Sequence, residues 1–354
     1  MSYRLNLIAI GGGTGLSSLL SGLKHYVNAV DAGAAESGEH YALAELAALV
    51  TVTDDGGSSG RLRDEFHILP PGDIRNCMVA LAEDEQLMTR LFRYRFRGGG
   101  QLGGHSFGNL FLTALTGVTE DFLEAIKLSS EVLAIKGRIF PSTMANVRLE
   151  AELDDGTVIQ GESNITKATR PIRVVRLTPP DGRPLPETLK AVEHADLIVI
   201  GPGSLFTSLI PNLLVKGIPE ALAPSPAKKI YICNIMTQPN ETNHYTAEDH
   251  VERILEYCPG LELDFVLLNS RPISEAMRQK YHVEGAVQVQ VRGSPEMDPE
   301  SGIGRLLLPQ RRRSVPLLYR DLLDERDNVR HHPAKLSRAV FEAHQLATRR
   351  NDEW

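Results

Sequence analysis

The stretch Leu5-Asn6-Leu7-Ile8-Ala9-Ile10-Gly11-Gly12-Gly13-Thr14-Gly15-Leu16 decides the fold. An aliphatic run stops in glycines, and residues 15–26 then read as a helix. An apolar run without alternation is the pattern of a parallel strand covered on both faces. Glycines at its end let the backbone turn tightly and approach a ligand closely. The helix start behind them offers free N–H groups and a partial positive charge to an anion. Thr14, Ser17 and Ser18 add hydroxyl donors. The usual dinucleotide fingerprint would need glycine where Leu16 stands, and no Gly-Lys-Ser/Thr follows as in a P-loop.

Working outward, residues 47–53, 196–200, 229–233 and 264–268 repeat the buried-strand pattern. Helical spacing fills 73–83, 86–96, 107–116, 120–135, 186–194, 246–257, 272–281 and 333–350. This alternation predicts an α/β fold: a Rossmann-like, doubly wound, mostly parallel sheet. The middle differs. Val147 to Leu153 alternates apolar and polar residues, Asp154-Asp155-Gly156 signals a hairpin, and 172–177 is again extended. The expected organisation is a Rossmann-like nucleotide-binding part at 1–137 and a small antiparallel insert at 138–180. A second α/β part with a C-terminal helix follows at 181–354. Residues 28–41 read as a long surface loop and 293–316 as a loose, mobile one.

The 354-residue chain is 42% hydrophobic, enough for a sizeable core, and its net charge of −7 argues against a nucleic-acid partner. Arg311-Arg312-Arg313 is a dense basic run, read first as a solvated loop and second as an anion or partner contact. Cys77, Cys233 and Cys258 are too scattered for a zinc cluster or a disulfide framework, which fits a reducing, cytoplasmic location. No apolar run reaches the ~18 residues of a membrane span, and the N-terminus shows no secretory cleavage pattern.

Five further motifs carry chemistry. Thr51-Val52-Thr53-Asp54-Asp55-Gly56-Gly57-Ser58-Ser59-Gly60-Arg61 begins at a strand's carboxyl end, where ligands of doubly wound sheets sit. Asp54 and Asp55 suit a ribose hydroxyl or a magnesium ion, and Gly57, Ser58 and Ser59 an anion. In Pro70-Pro71-Gly72-Asp73-Ile74-Arg75-Asn76, Asp73 is a natural helix N-cap, and Arg75 and Asn76 lie in the first turn. Taken alone, that motif reads as structural. In Gly103-Gly104-His105-Ser106-Phe107-Gly108-Asn109, His105 and Asn109 suit a phosphate or base, while a His–Ser nucleophile pair has no support. Ile200-Gly201-Pro202-Gly203-Ser204 repeats the strand–glycine–helix unit, with Gly201, Gly203 and Ser204 as phosphate contacts. Asn234 and Thr237 follow another strand, and Tyr245 is placed to stack on a ring or bond a sugar.

These motifs, in this order and over nearly the whole chain, resemble the bacterial gluconeogenesis factor family of the YvcK type. That family is related to 2-phospho-L-lactate transferase (CofD), which uses a nucleotide-activated donor and magnesium. The resemblance implies a Rossmann-like fold and a UDP-sugar site of the UDP-N-acetylglucosamine type. It also implies a regulatory role in growth on gluconeogenic carbon and in cell shape, through a cell-wall or regulatory protein partner. By the same resemblance, Tyr245 falls in the sugar-nucleotide site and Asp54 and Asp55 match the transferase's metal and nucleotide pair. An arginine that the family uses after the helix at 272–281 has no counterpart there, where Gly285 stands. The alternatives are a magnesium-dependent transferase and, more weakly, an NAD-binding oxidoreductase. The oligomeric state stays open.

Overall fold

The computed structural model describes residues 2–28, 40–83, 87–293, 297–298 and 300–352. Most of the loop expected at 28–41 lies outside them. The chain starts with strand β1 (Ser2–Gly11), helix α1 (Gly13–Leu23) and strand β2 (His40–Val50). Helices α2 (Gly57–Phe66), α3 (Gly72–Leu81), α4 (Leu87–Arg93), α5 (Phe107–Thr119) and α6 (Phe122–Val132) follow before β3 (Arg138–Pro141). Strands β4 (Arg148–Leu153), β5 (Val158–Gln160) and β6 (Ile172–Thr178) come next, then β7 (Leu197–Ile200), β8 (Lys228–Ile232) and β9 (Phe265–Asn269). Strands β10 (Met297–Asp298), β11 (Ile303–Leu308) and β12 (Arg313–Arg320) complete the main sheet.

Among the described residues, nine strands form that sheet, in the order β10-β11-β12-β9-β8-β7-β1-β2-β3. Every pair from β3 through to β12 is parallel, and β12-β11-β10 is antiparallel. The fold is therefore a mostly parallel, Rossmann-like sheet flanked by helices. β7 and β9 are buried along their full length, as expected of strands covered on both faces. The small antiparallel sheet, β5-β4-β6, stands apart. Its strand β4 alternates half-buried and buried residues, so one face packs inward.

Two boundaries differ from the sequence reading. Residues 138–141 pair with β2 in the main sheet, so the separate sheet begins only at Arg148. The stretch 293–316 is largely ordered: β11 and β12 form an edge hairpin. Alternating Leu306 and Leu308 pack inward there, while polar residues and prolines mask that period-two signal. Arg312 takes the left-handed turn position of that hairpin (φ 50°), and Arg311 pairs with Glu252 at 2.8 Å. The basic run is thus a hairpin turn. Among the described residues, no helix is long and apolar enough to cross a membrane.

The chain runs from β1 to β2 and β3 on one side, then returns to β7 on the other. The β1/β7 boundary is the topological switch point, where loops leave in opposite directions and open a crevice. α1 covers β1 and packs on the C-terminal helix Pro333–Asp352 through Gly22. A Cβ at Gly22 would run into the Pro333 carbonyl. Gly22→Ala is expected to force the two helices apart and cost about 1–3 kcal/mol. Chemical denaturation checks this, and an unchanged midpoint would show that the helices do not depend on that contact.

Candidate functional site

The β1–α1 loop and the β7 loop meet at the switch point. Gly13 takes a left-handed conformation (φ 62°), which glycine alone adopts freely. A Cβ on Gly15 would lie 2.5 Å from the Pro202 carbonyl oxygen, so glycine is required for the loops to touch. Asn234, after β8, ties the second loop down: its Nδ2 donates to the Gly203 carbonyl (2.8 Å) and its Oδ1 accepts from the Gly203 N–H (3.3 Å). Gln238 then donates to Ser204 Oγ at 2.6 Å.

Between these loops lies a cleft of about 270 Å³. Gly12 to Gly15, Pro202 to Ser204 and Asn234 to Thr237 form its floor. Its far wall is Tyr281, Ala286 and Val329 to His331. A small apolar cluster of Ile235, Met236, Ile273, Ala286 and Leu323 props up that wall, with Tyr281 packed on it. Thr237 Oγ1 accepts the Val287 N–H at 3.0 Å, and the Tyr281 hydroxyl accepts the Val329 N–H at 3.0 Å. Among the described residues, Arg330 has no carboxylate partner. His331 beside it is neutral, because burial drives its pKa down to about 4.

The cleft therefore offers first-turn N–H groups of α1, hydroxyls of Thr14, Ser18 and Ser204 and one arginine, with Glu284 as an acid in its lining. That donor set fits a diphosphate. Of the sequence candidates, Gly12, Gly13, Thr14, Gly15, Gly203, Ser204, Asn234 and Thr237 line it. Gly11 lies just beneath, and Gly201 turns the backbone at φ 87°.

Asp54 and Asp55 lie in a separate cluster of carboxylates around Asp73. Asp73 accepts the Gly13 N–H, and a Cβ on Gly12 would lie 2.7 Å from Asp73 Oδ2. Burial and the neighbouring Asp54 push the Asp73 pKa upward. Glu162 of the insert and Glu241 belong to the same cluster, each with one buried, unpartnered carboxylate oxygen. Burial pushes Glu241 up to about 7 and Glu162 well above its usual range. Asp73 reads as a helix cap in sequence, but its side chain makes no cap bond and instead reaches the glycine loop.

Asp54 and Asp55 each accept one backbone N–H through a single oxygen. Asp54 Oδ1 accepts from the Gly56 N–H at 2.9 Å and Asp55 Oδ1 from the Ser163 N–H at 2.8 Å. Among the described residues, no group of three or more His, Cys, Asp or Glu is arranged to hold a metal ion. A magnesium ion would have to draw most of its ligands from phosphate oxygens and water.

His105 Nδ1 meets Ser58 Oγ at 2.9 Å, and Asn109 Nδ2 donates to Ser58 Oγ at 3.1 Å. The histidine's serine partner is thus Ser58, while Ser106 caps α5. Gly57, at the start of α2, is in the left-handed region (φ 45°) and meets no neighbour. Ser59 takes a longer bond from Asn109, at 3.4 Å. Arg75 donates to Asn76 Oδ1 (2.7 Å), and burial lowers its pKa to about 10.

Tyr245 stands apart from the cleft lining. Its hydroxyl accepts from Arg253 Nε at 3.3 Å and its ring packs edge-on against His250. The cleft's aromatic residue is Tyr281, and its arginine is Arg330 rather than a residue near Gly285. Nothing local to Tyr281 or Arg330 marks them in sequence. They reach the cleft only because the 281–289 and 329–331 segments fold back over the β8 loop.

With this geometry in view, comparison with known proteins places the chain. Residues 7–301 match the family described as 2-phospho-L-lactate transferase CofD. The chain belongs to that family. A gluconeogenesis factor of Halalkalibacterium halodurans is 44% identical over 95% of this chain and 96% of its own length. One from Bacillus subtilis is 48% identical over 81% of this chain and 85% of its own. A solved structure of a protein from Bacillus halodurans is 44% identical, covers 96% of this chain and 99% of that one, and superposes with a TM-score of 0.82.

The buried acids make stability depend on pH. A carboxyl whose folded pKa is raised binds its proton longer in the folded state, so stability falls as pH rises from its unfolded value to its folded one. For Glu241 that window runs from about pH 4.5 to 7. Glu241→Gln is expected to remove about 1–3 kcal/mol of that decline. Denaturation midpoints at pH 5 and pH 8 read it directly, and an equal pH slope in both proteins would contradict the assignment.

Proposed function

We propose that the protein binds a nucleotide sugar of the UDP-N-acetylglucosamine type, with its diphosphate across the two glycine loops. It acts as a regulatory binding protein rather than by turnover. The observation that carries this is the meeting of the Gly12–Gly15 and Pro202–Ser204 loops at the sheet's switch point, with Arg330 facing them. Arg330 neutralises phosphate charge, and Tyr281 offers a ring to the base or sugar. The relatives' name, gluconeogenesis factor, supports a role in growth on gluconeogenic carbon sources. Cell shape, a cytoplasmic location and a cell-wall or regulatory protein partner belong to the same reading.

The family's description as a transferase supports a second reading. A buried carboxyl with a raised pKa beside a phosphate cleft suits a general base that deprotonates an acceptor hydroxyl. Magnesium, held mainly by the donor's phosphates, would supply charge neutralisation. Steady turnover of a nucleotide-activated donor with a deazaflavin or other alcohol acceptor would favour that reading. NAD chemistry has the least support, since the first loop lacks the dinucleotide spacing.

Titration calorimetry with UDP-N-acetylglucosamine tests the binding reading. Arg330→Ala and Tyr281→Ala are each expected to weaken affinity about tenfold or more, corresponding to ~1.4 kcal/mol. Tyr245→Ala is expected to leave affinity within about twofold, because that ring lies outside the cleft lining. Equal binding by Arg330→Ala and the parent would overturn the assignment of the cleft.

A further inference from the structure

Residues 87–106 contain four arginines and no carboxylate, in a chain whose net charge is −7. Arg90, Arg93, Arg95 and Arg97 are all exposed, as is Arg61 on α2. Among the described residues, none of these five has an acidic partner. Elsewhere on the surface arginines are commonly paired: Arg138 with Glu45, Arg170 with Asp154 and Arg326 with Asp324 are examples. Nor is the charge scattered. The fields of Arg95 and Arg93 both reach the buried Arg75 and help to lower its pKa. Glu65 is felt at His105, and Asp73 and Asp54 at Arg75.

The backbone of this segment is a short ribbon. Phe96 N–H donates to the His105 carbonyl (2.9 Å) and Phe107 N–H to the Tyr94 carbonyl (2.8 Å). Arg95 and Ser106 between them form the non-hydrogen-bonded pair. In that register the N–H and C=O of Arg95 point away from the ribbon, and among the described residues neither has a backbone partner. In an extended strand alternate residues share a face, so Arg95 and Arg97 project together, roughly 7 Å apart. Arg93, the last residue of α4, leads directly into them. Arg61 and Arg95 each donate to a carbonyl on the opposite strand, Gly103 (2.7 Å) and Gly104 (3.1 Å), which holds the ribbon in place. Tyr94, Leu102 and Phe66 remain half-exposed. One charge is enough to guard a strand edge against self-pairing; four guanidiniums beside bare apolar side chains exceed that need.

We propose that this ribbon is a docking edge for an acidic, extended segment of a partner protein. The segment would add as a strand along Arg95 and Arg97, with alternate carboxylates opposite these two and Arg93 at its end. Main-chain hydrogen bonds would supply affinity and the charge pairs would set register. A protein segment fits better than a bilayer or a nucleic acid. Those are broad polyanions, and the −7 charge of the chain as a whole repels them, whereas a single strand touches only the arginine edge.

The test uses the full chain and a fluorescein-labelled peptide with Glu at every second position and Thr between. Fluorescence anisotropy is expected to give saturable binding at about 50 mM salt that weakens at least about fivefold at about 500 mM. Arg93→Glu/Arg97→Glu is expected to weaken binding at least tenfold, and Arg93→Gln/Arg97→Gln by less. Lys190→Glu/Lys216→Glu, the same charge change elsewhere on the surface, should have little effect. A peptide N-methylated at the amides that face the ribbon should bind at least threefold more weakly. Circular dichroism establishes that each variant is folded. Equal binding by the arginine variants and the parent would overturn the proposal. So would tighter arginine-dependent binding to phosphatidylglycerol vesicles or to a single-stranded RNA, or indifference to N-methylation.

Discussion

Gly15 rests against the Pro202 carbonyl at the place where the sheet reverses its winding direction. No side chain fits between them. The two glycine loops are therefore joined at backbone-to-backbone distance. That approach aims the first turn of α1 and the backbone of the β7 loop into one cleft. It also explains why the loops are so rich in glycine: the need is for contact as much as for turning. Asn234 completes the arrangement by bonding both the N–H and the C=O of Gly203, which fixes the second loop without a large side chain.

The cleft holds N–H groups, hydroxyls and Arg330, with Glu284 also in its lining, while Asp73, Glu162 and Glu241 form a separate cluster of carboxylates with buried oxygens. Asp73 accepts the Gly13 N–H. A diphosphate bound as proposed would meet the charge of Asp73 across one peptide group. Charged carboxylates there would oppose such a diphosphate, and their protonation would relieve that opposition. A binding protein and a transferase would both use this layout, the first as a sensor and the second to hold a base ready.

Much of this is legible in the sequence where the signal is local. Unbroken aliphatic runs ending in Gly11 and Gly201 identify the central strands and their loops, because burial on both faces leaves no polar residue in the run. The hairpin β11–β12 is hidden: β11 buries only one of its faces, and prolines and arginines there look like loop. Tyr245 and Tyr281 make the contrast sharper. Tyr245 follows a polar stretch after a strand and looks like a ligand contact, yet it packs on His250 and bonds Arg253. Tyr281 sits in an ordinary helix and reaches the cleft through a chain reversal that no local pattern encodes. The Ser58–His105 contact spans 47 residues and is equally invisible from spacing.

A crystal structure of the full chain grown with UDP-N-acetylglucosamine tests the central claim most directly. Diphosphate density is expected over the first turn of α1 and against Gly203 and Ser204, with the Arg330 guanidinium within hydrogen-bond distance of a phosphate oxygen. Well-ordered ligand density elsewhere, with the Gly12–Gly15 and Pro202–Ser204 loops empty, would contradict it.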